Sequence, residues 1–211
     1  DEADTALAQP AIVTSSMAAL GLLTRFGIQA DIAVGHSLGE ISALAWGGAF
    51  SADAAIRIAH ERGRIMGGSE STGGMASVGL SLADIQSKLD GTGLEIAAIN
   101  APSQSVVSGS LKELEPLLDR LREEHVAVFR LPVSHAFHSR AFTNAKRPLR
   151  QAISEEPMTP LHRRVISTVT GNCLGDNDDI SDLLCAQLTE PVRFLEAIHA
   201  AEAAVDLWIE V

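Results

Sequence analysis

From Pro10 to about Phe26 apolar side chains recur at helical spacing, Ile12, Leu20, Leu22 and Leu23 among them, with Pro10 suited to a first turn. Gly27 ends that helix. Ile32-Ala33-Val34 reads as a short buried strand broken by Gly35, and the pattern is helical again from Leu38 to Trp46. Ser51-Ala52-Asp53-Ala54 has the composition of an N-cap with an acidic first turn, and it opens a helix running to about Met66. Gly67-Gly68 and the small, polar residues from Ser69 to Gly74 form a loop.

Beyond that loop the elements shorten. Met75–Val78 reads as strand, Ser81–Leu89 as helix, Leu94–Asn100 and Val106–Ser108 as strands, Leu111–Arg122 as helix and Val126–Arg130 as strand. The order β-α-β-β-α-β is the ferredoxin-like arrangement. After Pro132 the pattern returns to longer helices, with a strand at Val165–Thr168 and a last apolar strand at Leu207–Val211.

Composition narrows the class. At 211 residues, 46% of them hydrophobic, the chain holds one good-sized domain, and its 17 Gly and 8 Pro are dispersed as in a packed globular protein. A net charge of -11 argues against a nucleic-acid partner, which would select a basic face. Cys173 and Cys185 carry no metal-ligand spacing and read as reduced thiols. The opening Asp1-Glu2-Ala3-Asp4 is unlike a signal peptide, and no stretch of about 20 residues looks apolar enough to span a bilayer. A cytoplasmic protein without a membrane partner is the expectation.

The chemistry gathers at Gly35-His36-Ser37-Leu38-Gly39, a G-x-S-x-G pentapeptide placed between a strand and a helix. Such a turn holds its serine on a strained corner, with flanking glycines allowing close backbone approach and the Leu38 N–H placed to stabilise an oxyanion. A serine nucleophile needs a base. Of the seven histidines, His36 is rejected because neighbours on a tight turn point different ways. His60, His125 and His199 read as surface or capping residues, and His162 beside Arg163 and Arg164 as solvated. His135 and His138 remain, in Val133-Ser134-His135-Ala136-Phe137-His138-Ser139, and spacing does not choose between them.

These segments together resemble the acyltransferase domain of polyketide synthases, and the stand-alone malonyl-CoA:acyl carrier protein transacylase. Gly35 to Glu40 matches the nucleophile motif of that family. Glu61-Arg62-Gly63-Arg64-Ile65-Met66 matches its substrate-arginine helix, and Gly73-Gly74-Met75-Ala76 the start of its inserted subdomain. His135-Ala136-Phe137-His138-Ser139 matches its histidine motif, and Gln187-Leu188-Thr189-Glu190-Pro191-Val192-Arg193-Phe194 a segment near its end. The resemblance implies an α/β fold with an α/β-hydrolase-like core around a parallel sheet, in residues 1–73 and 133–211, and a ferredoxin-like small subdomain inserted at 74–132.

The same resemblance makes Ser37 the nucleophile, His138 the base and Gln187 the position where a carbonyl orients the histidine, as an aspartate does in a Ser-His-Asp triad. It makes Arg62 the ligand of a substrate carboxylate, with His36 and Phe137 also at the substrate. A guanidinium suits that task because it grips a carboxylate with two parallel hydrogen bonds. No bound cofactor is implied: coenzyme A enters as a thioester substrate and phosphopantetheine on the acceptor. The partners implied are an acyl carrier protein and neighbouring synthase domains such as a ketosynthase. A Phe in the histidine motif goes with malonyl rather than methylmalonyl selectivity.

Members of the family also carry a strand and a Gly-Gln-Gly loop ahead of this region, the glutamine completing the oxyanion hole, and a Gly-Pro turn beyond it. Neither lies within Asp1–Val211, so an internal piece of a longer chain is expected. Two rival readings are a serine esterase or thioesterase, which uses the same elbow, and a catalytically idle docking domain.

Overall fold

The computed structural model describes residues 4–68 and 73–211. Helix α1 (Thr5–Arg25) begins five residues before Pro10, because the Asp4 carboxylate caps the Ala6 N–H at 2.9 Å. Pro10 therefore sits inside the helix rather than in its first turn, which costs one backbone bond at Ala6. Strand β1 (Ile32–Val34) leads into α2 (Gly39–Gly47), and α3 (Ala52–Gly67) is capped by Ser51, whose hydroxyl accepts from the Ala54 N–H at 3.1 Å. Helix α1 crosses α3 closely enough that a Cβ on Gly63 would lie 2.6 Å from the Thr5 carbonyl oxygen. The loop expected from Gly67 to Gly74 falls in part on residues 69–72, outside the described residues.

The next six elements are β2 (Gly74–Val78), α4 (Leu82–Leu89), β3 (Glu95–Ala101), β4 (Gln104–Gly109), α5 (Leu111–Glu123) and β5 (Val128–Arg130). Their β-α-β-β-α-β order closes an antiparallel sheet with strands arranged β3-β4-β2-β5. One face packs on α4 and α5 through Ile85, Leu114, Leu117 and Leu118; the other meets Val192 and Phe137.

The chain then returns through a 3-10 turn at Arg140–Ala145 to α6 (Lys146–Ser154), β6 (Arg164–Ile166), α7 (Ile180–Ala186) and α8 (Phe194–Glu202). These helices, at seven to nine residues, are shorter than the sequence pattern suggested. The parallel sheet of the described residues is a single pair, β1 with β6, in register Ile32↔Arg164 to Val34↔Ile166. The strand expected at Leu207–Val211 does not form: those residues have no regular structure, and apolar composition alone supplies no partner strand.

The expectation that no segment is long and apolar enough to cross a bilayer is also corrected. Helix α1 has 21 residues and carries no charge before Arg25, which satisfies that length and composition. Here its inner side, with Val13 and Gln9 buried, packs on α3 and joins the main core with Ile41, Leu44, Ile58 and Phe142. Its outer side leaves Leu7, Ile12, Leu22 and Phe26 exposed, and Leu207, Trp208 and Ile209 in the last segment are exposed as well. The two meet where the Ser16 hydroxyl donates to the Val211 carbonyl oxygen at 3.2 Å.

Candidate active site

Ser37 stands between the end of β1 and the start of α2, with φ at +49°. Turn bonds from the Gly39 N–H to His36 O (2.9 Å) and the Glu40 N–H to Ser37 O (2.9 Å) tighten the corner, leaving the Leu38 N–H ahead of the first of them. The two flanking glycines are not equivalent. A Cβ on Gly35 would lie 2.3 Å from the Glu40 nitrogen, so close approach requires glycine there, whereas one on Gly39 meets nothing within 4 Å. The expectation that both glycines serve close approach holds for Gly35 alone.

His138 is 6% exposed and also left-handed, at φ +56°. Two of the three non-glycine residues with positive φ among the described ones are thus Ser37 and His138, a backbone strain that other packing must hold in place. The pair is joined: Ser37 Oγ lies 2.7 Å from His138 Nε2. His138 Nδ1 faces the main-chain oxygens of Gln187 at 2.9 Å and Glu190 at 3.3 Å. Carbonyls only accept, so Nδ1 carries the proton and Nε2 is left to accept from the serine. Burial, followed by the positive charge of Arg62, pushes His138 down from 6.5 to about 4, against the opposing pull of the Gln187 carbonyl. His135 is elsewhere, its Nδ1 3.0 Å from Ser134 Oγ and its ring stacked on Phe137.

Gln187 acts with two different atoms. Its main-chain oxygen faces the histidine, while its side-chain Nε2 donates to Ser37 O at 2.8 Å and to Glu40 Oε2 at 3.0 Å. The segment is held by exchange with β3: the Ile99 N–H donates to Val192 O at 2.9 Å and the Val192 N–H to Ala97 O at 2.9 Å.

Arg62 projects from α3 and is 4% exposed. Nη1 donates to Gln9 Oε1 at 2.7 Å, and Nε is buried without a partner among the described residues. Burial lowers its pKa to about 10, so it remains cationic at neutral pH. His36, exposed on the elbow, reaches Asn100 Oδ1 at 2.8 Å and packs edge-on against Phe194.

A cavity of about 360 Å³ opens between the elbow and the four-stranded sheet. Ser37, Leu38, His36, Arg62, Phe137 and His138 all line it, and Gln187 lies behind the serine. A larger depression of about 520 Å³ between α3 and α6 holds no nucleophile, and its cations are already paired, Arg57 with Glu156 and Arg64 with Glu61. Sequence reasoning passed over Gln9, Glu40, Asn100 and Thr168. A signal existed for two: Gln9 and Glu40 are polar residues inside otherwise apolar helical runs.

An α/β protein with a strained Ser-His pair at a strand-to-helix turn is the class that this fold and site define. Within that class the chain belongs to the acyl transferase domain family, whose model matches residues 2–211. It is 34% identical over 215 residues to the malonyl CoA-acyl carrier protein transacylase of Bacillus subtilis, covering 97% of this chain and 68% of that protein. It is 34% identical over 208 residues to polyketide synthase GfsA of Streptomyces halstedii, covering 96% of this chain and 3% of that one. Among solved structures, the acyltransferase domain of an iterative polyketide synthase in enediyne biosynthesis superposes with a TM-score of 0.89 at 40% identity, over 93% of this chain and 53% of that one. The malonyl CoA-acyl carrier protein transacylase of Clostridium perfringens gives 0.90 at 32%, over 96% and 67%. The chain therefore spans only part of each of these proteins.

Proposed function

We propose that this domain moves a malonyl group from coenzyme A to the phosphopantetheine thiol of an acyl carrier protein, through an ester on Ser37, within a polyketide or fatty acid synthase. The observation that carries the reading is one cavity holding Ser37 Oγ 2.7 Å from His138 Nε2 together with a buried Arg62 whose Nε has no partner among the described residues.

In the first half-reaction Ser37 Oγ attacks the thioester carbon as its proton passes to His138 Nε2. The tetrahedral oxyanion takes the Leu38 N–H, the C–S bond breaks, and the coenzyme A sulfur receives the proton from His138. In the second, the carrier thiol gives its proton to His138 and attacks the ester; the C–O bond breaks and Ser37 recovers its proton. Arg62 holds the free carboxylate of the malonyl group, which fixes the carbonyl over the serine. No resident cofactor is needed. The partners are the carrier protein and neighbouring synthase domains such as a ketosynthase, and the free thiols Cys173 and Cys185 suit a reducing cytoplasm.

Intact-mass measurement after incubation with malonyl-CoA tests the proposal. A malonyl increment on Ser37 that disappears in Ser37→Ala is expected; rapid release of free malonate without transfer to a carrier thiol would select an esterase instead. Labelling that survives in Ser37→Ala refutes the nucleophile.

A further inference from the structure

Glu40 is fully buried beneath the elbow, 0% exposed, and the reaction as written does not use it. Its Oε2 is a meeting point. Gln187 Nε2 lies 3.0 Å away and Thr168 Oγ1 3.2 Å away. Each of those side chains also grips the turn that carries the nucleophile: Thr168 Oγ1 donates to Gly35 O at 2.9 Å, and Gln187 Nε2 to Ser37 O at 2.8 Å. Two carbonyls, one on either side of His36, are thus held by two donors from distant segments, and both donors are anchored on one carboxyl.

We infer that Glu40 is a positioning residue for the nucleophile: through Gln187 and Thr168 it locks the left-handed backbone of Ser37 and so sets the 2.7 Å approach of Ser37 Oγ to His138. The inference rests on the Ser37 acyl-transfer reading. A left-handed non-glycine residue persists only where its surroundings over-determine it, and this clamp is such a surrounding. Proton counting agrees. A threonine hydroxyl has one proton, so Thr168 satisfies Gly35 O and Glu40 Oε2 together only if the carboxyl supplies a proton of its own. Burial raises the Glu40 carboxyl above the ordinary carboxylate range, against hydrogen bonds from Ser167, Gln187 and Thr168, which favours that protonated form. Gln187 needs no such sharing, since its two amide protons serve Ser37 O and Glu40 separately. Its main-chain oxygen on His138 makes the clamp continuous with the base.

The test measures single-turnover malonylation of Ser37, KM for malonyl-CoA, and amide hydrogen exchange at Gly39, Glu40 and Ile41 in wild type, Glu40→Ala, Glu40→Gln and Thr168→Val. Glu40→Ala is expected to slow acylation by about 10- to 100-fold, the scale of a small misplacement of a reacting group. KM should change little, because the substrate-gripping Arg62 is untouched, and the elbow amides should exchange faster. Glu40→Gln keeps the oxygen that Gln187 donates to and should fall between Glu40→Ala and wild type. Wild-type acylation in Glu40→Ala, a defect confined to KM, or a Glu40→Gln no better than Glu40→Ala overturns the inference. Should Glu40→Ala not fold, Thr168→Val carries the test, since it removes one hydroxyl and leaves the carboxyl: it must show slowed acylation and faster elbow exchange, and wild-type values for both overturn the clamp. If wild type itself never acylates Ser37, the acyl-transfer reading fails, while the exchange data still judge the clamp.

Discussion

Arg62 Nη1 donates to Gln9 Oε1 at 2.7 Å, while its Nε, in the same buried guanidinium, has no partner among the described residues. One bond fixes the plane of the group and leaves a buried N–H able to meet an acceptor. A buried charge-bearing donor left unpaired is costly, and an incoming carboxylate relieves that cost.

Truncation of Arg62 to Ala should therefore depress malonyl transfer by the value of a desolvated charged contact, on the order of 2–5 kcal/mol. Acetyl-CoA, which offers no carboxylate, should lose much less or gain. Gln9→Ala leaves the charge but frees the guanidinium to tilt. It should raise KM for malonyl-CoA about tenfold with a smaller effect on kcat, the mark of lost uniform binding. Parallel steady-state kinetics on the two thioesters decide it, and equal losses on both would make Arg62 a structural residue.

As the proposed base, His138 should set the pH dependence of acylation. A base depressed to about 4 by burial and by Arg62 is neutral through the physiological range. The rate of Ser37 acylation should hold level from about pH 8 down to pH 5 and fall only toward pH 4, because proton uptake by Nε2 removes the acceptor. Removing Arg62 withdraws one cause of the depression, so the acid limb of Arg62→Ala should move to higher pH. The stability consequence has a definite sign. The unfolded histidine titrates near 6.5 and the folded one near 4, so the unfolded chain binds more protons between those values. His138 therefore contributes stability above pH 6.5 that is lost as pH falls toward 4. His138→Gln, measured by thermal melting against pH, should flatten that window.

The elbow glycines should respond in opposite directions. Gly35→Ala forces a Cβ to within 2.4 Å of backbone at Glu40, where nothing flexible can yield, and should lower both melting temperature and acylation. Gly39→Ala meets open space at the first position of α2 and should stabilise by about 0.4–1 kcal/mol through the unfolded chain. Melting curves of the two variants separate the cases, and a destabilised Gly39→Ala would contradict the geometry.

The elbow of the candidate site was legible because its pattern is local, while Arg62 and Gln187 came only with the family resemblance. A serine between glycines after a β-run and before a helical run announces its own turn, and the order of elements from Gly74 to Arg130 follows from short alternating patterns. What was not legible is what depends on distance. His138 and His135 look alike along the chain, and only packing puts one against Gln187 O and turns the other onto Phe137. That Gln187 would reach the histidine with its main chain and the serine with its side chain is a matter of two crossing segments. Glu40 sits in the recognised motif, yet its burial under Thr168 needs β6 to lie beside β1. Leu207–Val211 shows the converse: an apolar run predicts a strand only if a partner edge is there to bond it.

Phe137 gives the last prediction, on extender choice. Its ring belongs to a cluster of three, 5.6 Å from His135 and 5.5 Å from the fully buried Phe142, with those two 6.3 Å apart, and it forms a wall of the cavity one residue from the base. A 2-methyl group on the extender would have to displace that wall, and the cluster resists it. One methyl is worth only about 1–3 kcal/mol to a pocket, so malonyl-CoA should outcompete methylmalonyl-CoA by about 10- to 200-fold rather than absolutely. Phe137→Ser opens the wall and should move the ratio of the two toward methylmalonyl, at some cost in melting temperature because Phe142 loses a stacking partner. Phe137→Leu keeps an apolar filler of lesser size and should shift the ratio less while melting closer to wild type. Competition between equal concentrations of the two thioesters, read as the mass increment on Ser37, measures all three proteins in one format. A wild-type preference for methylmalonyl, or a ratio indifferent to both substitutions, would mean that the methyl group is judged somewhere other than Phe137.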